Sequence, residues 1–413
     1  MTLLLNTEDY RRMARRRLPR GLFEYIDRGT EDECAIAAMR RSLDAIRLSP
    51  RVLTGHAERD LRTGLFGETL AMPVAVSPTA LAGMCAYDGE AKLARAAARA
   101  GIPFCVATQS VTTVEEVRAG APDANLWFQL YVWKDRTMTA ALLDRVRACG
   151  VSTLLVTVDT PMGPKREYNN RNGFAVPFTY SLTAALDVAA HPGWLFRVLL
   201  RYLRETGMPT YGHYPQEFRS SITRPSIAEA VKLENLLDWD DLKELRRLWP
   251  GRLVVKGVLD PRDAVTAADL GMDGVVVSAH GGRNLDSAPL VAEVLPVIAD
   301  SVGHRLDVLA DTGVRRGSDA LKYIALGAKA VLLGRLPLWG LAAGGEKGAH
   351  DILAMFRTEM EQTMTFLGVR TPAECVDLMR WPHGETTARG AMPAISPKPV
   401  DAIPHVDSGS KGL

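Results

Sequence analysis

The sequence predicts an α/β protein built as a TIM (β/α)8 barrel, with N-terminal helices ahead of it and a long insert between strands 4 and 5. Three observations predict it. Eight short apolar runs alternate with Ala-, Leu- and Arg-rich helical stretches. Polar residues gather at the carboxyl ends of those runs, where barrel enzymes carry their chemistry. Loops bearing glycine and arginine follow the seventh and eighth runs, the usual phosphate site of this architecture.

The elements follow in order. Residues 8–17 read as a basic helix, and Pro19 suits the first turn of a second one that passes through Leu22, Phe23, Tyr25 and Ile26 and stops near Gly29. The strand runs are 73–77, 104–107, 127–130, 153–158, 253–256, 274–277, 307–310 and 330–333. They are short and almost wholly apolar, as strands buried on both faces should be. Residues 90–100, 135–148 and 261–270 read as helices between them. Thr79, Thr108, Gln129, Tyr131, Asp159, Lys256, His280 and Asp311 fall at strand ends. The spacing breaks once, at an insert of about 178–235 that is far longer than an ordinary crossover. Within it, Arg197, Arg201 and Arg204 share one side of a helix at 192–204, and Trp194, Phe196, Tyr202 and several leucines fill the rest. Such a helix can lie in a membrane interface, or pack on the barrel or a sister subunit. Residues 349–367 read as a closing helix. The whole of 1–390 reads as one domain, and 391–413, rich in Pro, Lys, Ser and Gly, as a disordered tail.

Composition bounds the function. The formal charge of +2 predicts no nucleic-acid partner. The five cysteines show no CxxC spacing, so neither a disulfide framework nor a metal site is predicted, and a reducing compartment fits. The first residues lack a basic n-region and read as no signal peptide, and no apolar run approaches a membrane span.

One stretch concentrates the chemistry: Ser278-Ala279-His280-Gly281-Gly282-Arg283-Asn284-Leu285-Asp286, at the end of the sixth run. Two glycines allow a sharp turn and close approach of a ligand. A histidine can take a proton and an arginine can clamp a carboxylate with paired hydrogen bonds. By itself the stretch serves equally as a Gly-rich surface turn or as the base and anion clamp for a small acid.

The stretch resembles the Ser-Asn-His-Gly-Gly-Arg-Gln-Leu-Asp signature of the FMN-dependent L-2-hydroxy acid oxidases and dehydrogenases, departing at Ala279 and Asn284. The resemblance extends over about residues 5–378. It implies FMN as cofactor. It places Pro78, Thr79 and Ala80 against the flavin ring and Gln129, Thr157 and Ser278 on the ring or ribityl chain. Lys256 falls beside ring N1, where a cation stabilises the reduced anion. Asp311, Gly313, Arg315, Gly334 and Arg335 form the phosphate end, with Thr312 where the family has Gly. The family's Ser at the second strand end is Ala107 here, and neighbouring Thr108 is the candidate to replace it. For substrate, the resemblance implies Tyr25, Arg166 and Arg283 on the carboxylate, Tyr131 on the substrate oxygen, His280 as base and Asp159 as the carboxylate that orients it.

The activity implied is oxidation of an L-2-hydroxy acid, L-lactate or related, to the 2-oxo acid, with electrons passed to a membrane quinone. The insert corresponds to the membrane-contacting segment of membrane-associated members, which implies a peripheral protein on the cytoplasmic side of the inner membrane. The family also implies a homotetramer. An (S)-mandelate-type dehydrogenase and a soluble oxidase using O2 are the nearer alternatives. A non-redox flavin isomerase and an inactive flavin-binding subunit are the remote ones.

Overall fold

The computed structural model describes residues 3–174, 182–218 and 229–381. The reading of 391–413 as a disordered tail lies outside them, as do parts of the 178–235 insert.

Eight parallel strands close into a barrel: β1 (Val74–Val76), β2 (Phe104–Ala107), β3 (Leu126–Leu130), β4 (Thr153–Thr157), β5 (Arg252–Val258), β6 (Gly274–Val277), β7 (Asp307–Ala310) and β8 (Ala330–Leu333). Every predicted run became a strand of it. Strand order follows chain order and β8 closes on β1, with Val331 opposite Val74. Side chains of alternate parity fill the interior, among them Ala75, Cys105, Trp127, Leu155, Val254, Val276, Leu309 and Leu332. The other parity packs outward on the helices, as Val106, Phe128, Val255, Val275 and Val308 do.

The amino-terminal mouth is plugged by an antiparallel ribbon, Thr63–Leu65 with Glu68–Leu70. Leu65, Phe66 and Leu70 join the interior cluster, and the Phe66 ring lies 5.7 Å from that of Trp127. The Phe66 N–H donates to Asp307 Oδ2 at 2.7 Å, at the first residue of β7. The sealed end leaves the carboxyl mouth as the open one.

Three helices precede the barrel: Thr7–Arg17, Arg20–Asp27 and Cys34–Ala45. The first starts where Asn6 accepts from the Asp9 N–H, a side-chain cap of an otherwise unpaired donor. Arg11 on it forms a two-pronged pair with the buried Asp27, which ties the first helix to the second. The second helix thereby brings Tyr25 over the carboxyl mouth.

Two expectations are refined. The closing segment is two helices: helical structure runs Arg335–Leu367 but breaks where Gly344 and Gly345 leave helical geometry, so the predicted 349–367 helix lies within the second and a further helix precedes it. The Gly-Gly pair separates the two helices, as glycines in a helical pattern argue. The insert helix is also not a membrane-facing element throughout. Residues 192–205 form one helical stretch with a π turn at Leu195–Leu199. Trp194, Val198 and Tyr202, four residues apart, are buried against the barrel. The Trp194 indole N–H donates to the Met84 carbonyl at 2.7 Å, and the Asp88 N–H donates to the Tyr202 hydroxyl at 3.2 Å. Phe196, Leu200 and Leu203 on the outer side are exposed, as are Leu182 and Leu186 of the helix Leu182–Ala190 before it.

Candidate active site

A cavity of about 550 Å³ opens at the carboxyl mouth, in the range of small-molecule and cofactor sites. His280 and Arg283 follow β6, Lys256 lies in β5, Gln129 in β3 and Thr157 in β4. Pro78, Thr79 and Ala80 follow β1; Asp311, Gly313 and Arg315 follow β7; Gly334 and Arg335 follow β8. All of these, with Tyr25, Tyr131 and Arg166, line the one cavity.

The heart of the site is a chain of paired groups. His280 Nδ1 stands 2.8 Å from Asp159 Oδ1, behind the cavity wall. Asp159 accepts from Nδ1–H, which leaves Nε2 as the basic nitrogen. Burial works to raise the Asp159 carboxyl, but the charge and hydrogen bond of His280, with Lys256 and Thr160, hold it below its usual value. The Asn284 amide donates to the Asp159 carbonyl at 2.8 Å and to Thr160 Oγ1 at 3.0 Å. The shorter amide at a family glutamine position therefore still reaches the base's partner.

Lys256 is buried, with Nζ 3.1 Å from Asp311 Oδ2 and 3.0 Å from Ser278 Oγ. Burial works to lower its pKa, yet Asp311 and Asp159 hold it above the ordinary lysine value, so it stays cationic. Tyr131 is pushed up to about 12 by burial and by the Asp159 charge, so its hydroxyl remains a donor at neutral pH.

The other end of the cavity is different. Arg315 and Arg335 are pushed down to about 10, chiefly by burial. Arg315 stacks on the Trp339 ring at 4.4 Å, and Arg335 donates to the Ile26 and Arg28 carbonyls at 3.1 and 3.2 Å. Arg283 is likewise pushed down to about 10, by burial and then by Arg166, and lies over the Tyr25 ring at 5.0 Å. No carboxylate forms an ion pair with Arg166, Arg283, Arg315 or Arg335 among the described residues. Buried cations without a counter-charge are costly, and an anionic ligand relieves the cost.

Two candidates sit elsewhere than expected. Thr108 does not face the cavity: its hydroxyl donates to the Gln129 carbonyl at 2.7 Å and accepts from the Tyr131 N–H at 2.9 Å. Strand alternation turns Ala107 inward and Thr108 away, so Thr108 does not replace the lost serine but holds β2 to β3. Ser278 is also behind the wall, accepting from Lys256 Nζ and the His280 N–H. Sequence reading missed Lys232, Leu233 and Asn235, which line the outer cavity from the end of the insert. They arrive there because Lys134 N–H donates to the Lys232 carbonyl at 2.9 Å, a pairing with no local signal.

The arrangement fits FMN on two observations. Gln129 Nε2 is buried with no hydrogen-bond partner, facing a cavity wide enough for a flat ring. Beside Arg315, Gly313 has φ +82 and a Cβ there would come within 3.2 Å of Leu43 Cδ1 and the Met39 carbonyl oxygen, so the turn favours glycine and leaves its backbone open to a ligand. A barrel mouth with a histidine–aspartate pair, a buried lysine and arginines that lack a counter-carboxylate fits a flavin-dependent oxidoreductase.

Comparison with known proteins agrees. The chain belongs to the FMN-dependent dehydrogenase family, whose model matches residues 14–381. It is 43% identical over 382 residues to an L-lactate dehydrogenase of Caulobacter vibrioides, covering 90% of this chain and 96% of that protein. It is 44% identical over 368 residues to an L-lactate dehydrogenase of Xanthomonas campestris, covering 89% and 94%. Among solved structures it matches the monotopic membrane protein (S)-mandelate dehydrogenase with a TM-score of 0.83 and 35% identity, over 91% of this chain and 98% of that one. A mandelate oxidase variant with (S)-mandelic acid matches with a TM-score of 0.77 and 30% identity, over 92% and 98%.

Proposed function

We propose that this protein oxidises an L-2-hydroxy acid, L-lactate or a close relative, to the 2-oxo acid and passes the electrons to a membrane quinone. The observation that carries the reading is the His280–Asp159 pair at 2.8 Å in one cavity with the unpaired cations Arg283 and Arg166.

Arg283 and Arg166, both beside the Tyr25 ring, receive the substrate carboxylate. Arg166 Nε is buried without a partner and gains one from such an anion. Tyr131 donates its hydroxyl to the substrate oxygen. His280 Nε2 takes a proton from the substrate, and Asp159 stabilises the imidazolium so formed. FMN, when bound, supplies acceptance of the electron pair. Gln129, Thr157, Lys256 and the 78–80 turn would hold its ring, and Gly313, Arg315, Gly334 and Arg335 its phosphate. Lys256, held cationic by Asp311, would stabilise negative charge on a bound ring.

The membrane part of the reading rests on the insert. Leu182, Leu186, Phe196, Leu200 and Leu203 are exposed beside Arg197 and Arg204, an apolar surface with a basic rim. Among the described residues no helix is long and apolar enough to cross a membrane. The reading is of peripheral attachment at the cytoplasmic face of the inner membrane, with assembly as a homotetramer, as the family resemblance implies. An (S)-mandelate-type substrate is the second reading, favoured by the 35% identical structural relative. The intact His280–Asp159 pair argues against a non-redox isomerase or an inactive subunit.

The test is anaerobic. Purified holoenzyme in detergent is given L-lactate, (S)-mandelate, glycolate and longer L-2-hydroxy acids in turn, and the visible flavin band is followed. Bleaching by L-lactate is expected, with recolouring faster on a quinone analogue than on oxygen. No bleaching by any of these acids would overturn the substrate class, and faster recolouring on oxygen would overturn the acceptor.

A further inference from the structure

Thr312 is a β-branched residue at φ +75, a backbone conformation that such residues rarely adopt. Strain of this kind persists only where the surroundings enforce it. The loop it faces is equally unusual, since His280 itself sits at φ +51, between Ala279 and the two left-handed glycines Gly281 and Gly282.

The Thr312 hydroxyl lies where the two loops meet. It accepts from the Gly281 N–H at 3.1 Å and from the Ala279 N–H at 3.3 Å. It donates to Asp311 Oδ1 at 2.7 Å. One hydroxyl has one donor and two acceptor sites, and all three are used. The two N–H groups are those on either side of His280. Asp311 in turn pairs with Lys256 through its other oxygen. The Thr312 carbonyl is pinned from behind, where it accepts from the buried Tyr323 hydroxyl at 2.7 Å.

We propose that Thr312 is a positioning residue: its side-chain hydroxyl clamps the backbone on both sides of His280 and so holds the imidazole against Asp159. The strained backbone at 312 is the cost of placing a hydroxyl there. A glycine at this position would relax the strain and leave both N–H groups unclamped.

The proposal rests on His280 as the base, and its test keeps the two apart. Thr312→Gly, Thr312→Val and Thr312→Ser holoenzymes are assayed with L-lactate and a soluble dye acceptor, with turnover counted per bound flavin. The Gly and Val variants should keep flavin and a KM within about twofold of the parent, while kcat falls about tenfold or more. The Ser variant should recover most of that kcat. If Val fails to fold, the Gly variant decides, because glycine favours this φ. Parental kcat in Thr312→Gly overturns the clamp, and so does a Ser variant as slow as the Gly variant. Should His280→Ala also keep parental turnover, it is the assignment of the base that fails instead.

Discussion

The two ends of the cavity solve the burial of charge in opposite ways. Around His280 the acid–base groups are paired, Asp159 with His280 at 2.8 Å and Lys256 with Asp311 at 3.1 Å. Arg315 and Arg335 are half-buried without a carboxylate partner, and burial pushes both down to about 10. The paired groups hold one another without a ligand, so their geometry is preorganised for chemistry, while Asp159 Oδ2 and Asn284 Oδ1 are buried without a hydrogen-bond partner. On the proposed reading an anion supplies the missing counter-charge of these arginines, so part of their folding cost returns as binding energy for the cofactor phosphate. Catalysis and retention of FMN should therefore separate under mutation.

The largest break is His280→Ala. Turnover should fall about a hundred- to ten-thousandfold while bound flavin is retained, as stopped-flow reduction and the flavin spectrum would show together. Asp159→Asn should cost less, about tenfold to a hundredfold in kcat for one lost charge-assisted hydrogen bond, again with flavin bound. Arg315→Met tests the other end, where FMN affinity measured by fluorescence titration should fall about tenfold or more. The same change should leave the melting temperature of the FMN-free protein equal or higher, since a half-buried cation without a counter-charge is removed. A lower melting temperature in the FMN-free variant would contradict the asymmetry between the ends.

A smaller effect concerns pH. The Asp159 carboxyl is held below its ordinary value, so it contributes stability that is present above about pH 4 and is lost as pH falls through its folded value. Lys256 is held above its ordinary value, so its contribution is fully present below about pH 10 and is lost as pH rises beyond. Urea midpoints of the parent should therefore form a plateau between those limits, and Asp159→Asn should flatten the acid side. The smallest effect on the cavity should come from the insert. Phe196→Ser, at a side chain 66% exposed, should leave dye-linked turnover at the parental level while reducing co-sedimentation with anionic vesicles.

Side-chain character along the chain determined much of this protein. Strands buried on both faces must be short apolar runs, so all eight were legible, and polar residues at their carboxyl ends marked the mouth. His280, Lys256 and Arg315 could be read because each lies beside a strand end whose direction the fold class dictates. Thr108 and Ser278 could not, because one residue of alternation decides whether a strand-end side chain faces the cavity or the wall. Nor could the insert helix, whose apolar residues read alike until Trp194 and Tyr202 found Met84 and Asp88 more than a hundred positions away. Lys232, Leu233 and Asn235 reach the cavity only through a loop pairing, and Thr312 reaches His280 only because β6 and β7 are neighbours in the barrel. Local pattern carries propensity and polarity. Contacts between distant segments carry no periodic signal, and only the closed barrel decided which hydroxyl, which carbonyl and which cation would meet.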